Sequence, residues 1–101
     1  MKKSFFASDT TFSERVREVV KGIKKGGVLT YKQVASLGGS PNASRAVGTI
    51  MKNNYDPDIP CHRVVGSDGY VCDYNRGGKD AKINLLKKEG VMISPSGRVI
   101  L

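Results

Sequence analysis

Two helix-capping boxes, two short helical segments joined by a tight glycine-serine turn, and one Gly-Ser-Asp-Gly turn between β-branched residues set the expected fold class. They predict a mainly α chain with a small β-hairpin, arranged as a winged-helix-like helix-turn-helix domain. At 101 residues and 39% hydrophobic content, residues 1–101 are expected to form a single domain around a modest core.

Thr11-Phe12-Ser13-Glu14 opens the first helix, with the Thr11 hydroxyl as N-cap and Glu14 reaching back to it. Phe12, Val16, Val19, Val20 and Ile23 then share one face, and Gly26-Gly27 is the expected stop. Thr30-Tyr31-Lys32-Gln33 is a second capping box, opening a short helix through about Leu37 that Gly38-Gly39 ends. Ser40-Pro41, a cap followed by proline at the first helical position, marks a third helix from Pro41 to Lys52. Val64-Val65 and Tyr70-Val71 flank Gly66-Ser67-Asp68-Gly69 as the hairpin. A last helix, about Asp80 to Lys88, carries Ala81, Leu85 and Leu86 and stops at Gly90; Arg98 to Leu101 follows as a final strand or ordered tail.

Seventeen Lys and Arg against nine Asp and Glu give a net charge of +8, a bias toward a polyanionic partner, most often nucleic acid. No apolar run approaches the length of a membrane span. The start, Met1 to Ala7, turns polar at Asp9, too early for a signal-peptide core. Two cysteines without a repeated framework suggest a reducing, cytoplasmic setting.

The chemistry concentrates in Ile59-Pro60-Cys61-His62-Arg63-Val64, which holds the chain's one histidine. A histidine beside a thiol can take its proton, directly or through one water, and the thiolate is the strong nucleophile among side chains. On adjacency alone, Cys61 is equally readable as a core cysteine or as the partner of Cys72, the second cysteine. Two Cys and one His leave a structural zinc site short of ligands, so no metal is expected. In the third helix, Ser44-Arg45-Ala46-Val47-Gly48 sets one arginine among small residues. That face suits either close approach to a DNA groove or close packing on a neighbouring helix.

Thr30-Tyr31, Arg45-Ala46-Val47-Gly48, Asn54, Pro60-Cys61-His62-Arg63-Val64 and Glu89-Gly90 after a Leu-Leu pair occur in that order. In this the chain resembles the C-terminal domain of the O6-alkylguanine-DNA alkyltransferases, from about Phe12 to Gly90. The resemblance implies a DNA-repair methyltransferase that uses no cofactor and works once. Cys61 would attack the alkyl carbon, His62 would take the thiol proton through a water, and Glu89 would hold the imidazole. Asn54 would fix the loop that carries Cys61, and Tyr31 would donate to the departing base. Main-chain groups around Cys61 and Val64 would read the guanine edge, with Tyr74, Asn75 and Pro57 walling the base pocket. Arg45 would fill the space of a flipped nucleotide in the minor groove. Ser44, Ala46 and Gly48 would allow that approach, and Ser40, Asn42 and Lys32 would meet phosphates. The implied partner is double-stranded DNA bearing O6-alkylguanine, bound by a monomer.

The chain departs from that family in several places. Most members carry an additional N-terminal domain. The related short alkyltransferase-like proteins, which bind the lesion without repairing it and would signal to nucleotide-excision repair factors, usually have tryptophan at the Cys61 position. The Asn54–Pro60 loop is one residue short, with Tyr55 where proline is usual. Cys72 stands where glycine is common, close enough in the expected hairpin for an oxidative disulfide with Cys61. Asn75-Arg76-Gly77-Gly78 is one residue long.

Overall fold

A computed structural model of the chain describes residues 11–71, 74–75 and 77–100. In chain order the elements are α1 (Phe12–Lys21), β1 (Leu29–Thr30), α2 (Tyr31–Leu37) and α3 (Ser44–Lys52). A single 3-10 turn (Cys61–Arg63), β2 (Val64–Val65) and α4 (Gly78–Lys88) follow. The arrangement is mainly helical, with one two-stranded sheet among the described residues.

Both capping boxes form. Glu14 N–H donates to the Thr11 hydroxyl at 3.1 Å, while the Glu14 carboxylate accepts from Thr11 N–H at 3.1 Å. Gln33 N–H donates to the Thr30 hydroxyl at 3.1 Å, and the Gln33 side chain accepts from Thr30 N–H at 2.8 Å. These pairs satisfy N–H groups that a helix start leaves without partners.

Helix α1 ends earlier than its apolar stripe suggests, with Gly22 as its C-cap. Ile23 is still buried, but Gly26-Gly27 forms a separate turn, closed by Gly27 N–H on Lys24 C=O at 2.8 Å. Helix α3 begins at Ser44 rather than Pro41. Ser40 to Ala43 instead form a turn closed by Ala43 N–H on Ser40 C=O at 2.9 Å. Proline is as well suited to the second position of such a turn as to a first helical turn.

The expected hairpin is also corrected. Gly66 N–H does reach Tyr70 C=O at 2.8 Å, so the turn closes. The ladder partner of Val64–Val65, however, is Leu29–Thr30, in parallel, and Tyr70 bridges Arg98 instead. Residues three dozen positions apart thereby lie side by side, and no local pattern encodes that pairing.

Helices α1, α2 and α3 pack on one another. Val16, Val20, Ile23, Val34, Ala35, Val47 and Met51 form a core that Ile59, Cys61 and Val64 complete. Val65, Val71, Leu86, Val91 and Val99 make a second cluster. Successive strand residues point to opposite faces, so Val64 enters the first cluster and Val65 the second. Strand β2 pins the preceding Cys61 turn between the two. In α4 the inward face is Lys82 and Leu86, not Ala81 and Leu85.

Candidate active site and nucleic-acid face

Cys61 opens the 3-10 turn and is 4% exposed. Its N–H donates to Ile59 C=O at 2.8 Å, and Arg63 N–H donates to Pro60 C=O at 2.9 Å, so the backbone around the thiol is pinned on both sides. Asn54 holds the loop that leads in. Its buried amide donates to Ile59 C=O at 3.2 Å and its Oδ1 accepts from Asp56 N–H at 3.2 Å. One side chain thus bridges both arms of the 54–59 loop.

Glu89 sits at the C-cap of α4, where the chain leaves the helix, and Gly90 follows at φ +89°. Its Oε2 accepts from His62 Nε2 at 3.0 Å and from Arg63 Nη2 at 2.7 Å, and its Oε1 accepts from Arg63 Nε at 2.9 Å. The third Arg63 donor, Nη1, reaches Ile23 C=O at 2.7 Å. The Arg63 guanidinium, with the His62 bond adding to it, holds the Glu89 carboxyl at about 2, against an ordinary value of 4.5. The same bond raises Arg63 further above its usual range. With Nε2 occupied by the carboxylate, Nδ1 is the nitrogen of His62 left to act as a base.

An open cavity of about 640 Å³ adjoins the thiol, bounded by Tyr31, Cys61, Tyr74, Asn75, Gly48 and Lys82 among others. Tyr74 meets the His62 ring edge-on, with centroids 6.4 Å apart. Asn75 is clamped to the end of α3, donating to Lys52 C=O at 2.7 Å and Asn54 C=O at 2.6 Å; its Oδ1 is buried without a hydrogen-bond partner. Pro57 lies apart from this cavity, exposed in the Asp56–Asp58 turn, and the Val64 side chain is wholly in the core, leaving only its main chain for recognition. Tyr55, 68% exposed, stands at the cavity's edge.

Lys82 was invisible to sequence reasoning. It is 1% exposed, lines the same cavity, and sets its ammonium 5.8 Å from the centre of the Tyr31 ring. The available signal was its i, i+4 spacing to Leu86. Arg63 was likewise read as part of a motif, not as the carboxylate's main partner.

Ser44, Arg45 and Gly48 border an adjacent open groove with Tyr31, Lys32 and Ser67. Arg45 and Ala46 are exposed, as is Asn42, while Ser40 is half-buried in the preceding turn. A Cβ built at Gly48 meets nothing within 4 Å, so its bareness serves no packing inside the chain. Helix α3 starts without a side-chain cap. Among the described residues no group of three metal-ligating side chains occurs, and no helix is long and apolar enough to cross a membrane. Cys72, Asp73 and Arg76 fall outside the described residues, and with them the expected Cys61–Cys72 proximity and part of the lengthened loop.

Residues 11–91 match the family model described as 6-O-methylguanine DNA methyltransferase, DNA binding domain. This chain belongs to that family. Among its relatives, the rat methylated-DNA–protein-cysteine methyltransferase is 40% identical over 94 residues, 92% of this chain but 44% of that protein. The Escherichia coli DNA base-flipping protein is 38% identical over 96 residues, 92% of this chain and 72% of that protein. S. pombe Atl1, solved in complex with damaged DNA containing O6-carboxymethylguanine, superposes with a TM-score of 0.74 at 30% identity, covering 89% of this chain and 87% of that one. The chain therefore spans under half the length of the rat methyltransferase and most of the length of the two other proteins.

Proposed function

We propose that this chain is a DNA-repair protein, cytoplasmic and DNA-associated, that flips O6-alkylguanine from duplex DNA and transfers the alkyl group irreversibly to Cys61. The observation that carries the reading is the convergence of one thiol, a His–Glu pair and two tyrosines on one open cavity beside a bare, arginine-bearing helix face.

In this mechanism α3 lies in the minor groove, where readout is degenerate and scanning of any sequence is possible. Arg45 occupies the space of the extruded nucleotide, whose unstacking costs a few kcal/mol. His62 Nδ1 takes the Cys61 proton through a water, and Glu89 steadies the resulting imidazolium. An unperturbed thiol, with a pKa near ~8.5, is mostly protonated at neutral pH, so the base is needed. The thiolate attacks the alkyl carbon, the carbon–O6 bond breaks, and the guanine leaves with its negative charge neutralised by a proton donated through Tyr31. Net, the thiol proton passes to guanine and the alkyl group to sulfur. The thioether has no ready leaving reaction, so one molecule removes one lesion and no cofactor takes part.

A second reading is lesion binding without transfer. The coverage of most of Atl1 and of the base-flipping protein favours it, and the retained Cys61 opposes it. Duplexes carrying a labelled O6-methyl group distinguish the two. Label fixed on wild-type protein and lost in Cys61→Ala, with lesion-selective binding kept, supports transfer. Lesion-selective binding with no label on either protein supports the sensor.

A further inference from the structure

We infer that Arg63 is a positioning residue that divides the Glu89 carboxylate with His62, and so fixes both the tautomer and the working pH range of the base. The inference rests on the Cys61–His62–Glu89 reading above.

The geometry points to it in three ways. The Arg63 fork takes both carboxylate oxygens, at 2.9 and 2.7 Å, while His62 has a share of Oε2 alone, at 3.0 Å. A side-on guanidinium fixes the plane of a carboxylate, which a lysine point charge does not. The plane so fixed presents Oε2 to Nε2 and leaves Nδ1 free. Second, the guanidinium is itself anchored by Nη1 on Ile23 C=O at 2.7 Å, joining three segments distant in sequence. The same junction is sealed from the other side, where a Cβ at Gly26 would lie 3.2 Å from Glu89 C=O. Third, the charges compete. A bare carboxylate on Nε2 would stabilise the imidazolium strongly and keep His62 protonated near neutral pH, when it must be empty to accept a proton. Arg63, always cationic, offsets much of that charge, with the side chains only 12–15% exposed and water screening weak. The other titratable groups around His62 are Cys61 on its own turn and Tyr74 edge-on at 6.4 Å; Lys82 of α4 lines the shared cavity. All three remain in the variants below.

The test is the rate of Cys61 alkylation by iodoacetamide between pH 5 and 9, mapped by peptide mass so that Cys72 is counted apart. It needs no DNA, so it is readable whether or not the chain transfers alkyl groups. In Arg63→Gln the acid limb of the profile should move to higher pH by about one unit, the size of effect a neighbouring like charge exerts. Arg63→Lys should keep the limb near its wild-type position while lowering the plateau rate. Arg63→Met provides a second neutral side chain should the glutamine variant fail to fold. As a second readout, nitrogen NMR of the chain's one histidine should show the Nε2–H tautomer in wild type and a mixture in the neutral variants. A uniform rate loss with no displacement of the limb would reduce Arg63 to a structural brace. A displacement to lower pH would mean that Glu89 loses His62 without Arg63, and would overturn the division of charge.

Discussion

Replacing Glu89 by glutamine keeps the shape of the side chain and removes its charge, so the cost should follow the protonation of that one carboxyl. Its folded value of about 2, against 4.5 ordinarily, corresponds to about 3 kcal/mol at neutral pH. Breaking a buried ion pair typically costs about 3–5 kcal/mol, and the partial exposure of Arg63 and His62 lowers the expectation to about 2–3. Because the folded carboxyl is the stronger acid, its contribution is complete above the ordinary value and is lost as pH falls toward about 2. Urea unfolding of wild type and Glu89→Gln should therefore differ by about 2–3 kcal/mol at pH 7, and by less than half of that at pH 3. Glu14 and Asp68 are also held below their usual range, by the Thr11 cap and by Tyr70 N–H with Arg98, but they are common to both proteins and cancel. A gap that stays constant from pH 7 to pH 3, or one below about 1 kcal/mol at pH 7, would refute the reasoning that Arg63 and His62 hold a charged carboxylate.

Two other substitutions separate structure from function. Asn54→Ala removes two hydrogen bonds at a 6% exposed residue, and should cost about 1–2 kcal/mol in thermal or urea unfolding while slowing Cys61 alkylation. Gly48→Ala should raise stability by about 0.5–1 kcal/mol, since nothing opposes the added methyl and glycine is a poor helix former. Gly48→Leu should fold equally well yet weaken duplex binding measured by fluorescence anisotropy, and unchanged binding would remove α3 from the DNA face.

The parts of the fold legible in the sequence are those fixed by neighbours in the chain. Thr11 with Glu14, and Thr30 with Gln33, announce their helices because both partners of each capping box lie within one turn. The stops were less legible, since Gly22 and Gly26 are equally able to end a helix and only packing selects between them. Pairing of Val64–Val65 with Leu29–Thr30 depends on the three-helix core closing first, so the local Gly-Ser-Asp-Gly turn suggested a hairpin ladder instead. The Cys61–His62–Glu89 set was reached through family resemblance. Spacing alone left Glu89 looking like a solvated helix end, and its capture by Arg63 is a tertiary event. Lys82 defeats the apolar pattern outright: a lysine on the inner face of α4 reads as an error until the cavity beside Cys61 is seen.

The central claim, that Cys61 is an alkyl acceptor, is met most directly by mass. After incubation with an O6-methylguanine duplex, the intact protein should gain one methylene unit, with peptide mapping placing it on Cys61 and Cys61→Ala gaining nothing. An unchanged mass in protein that binds the lesion duplex selectively would contradict the account and leave a base-binding protein whose thiol does no chemistry.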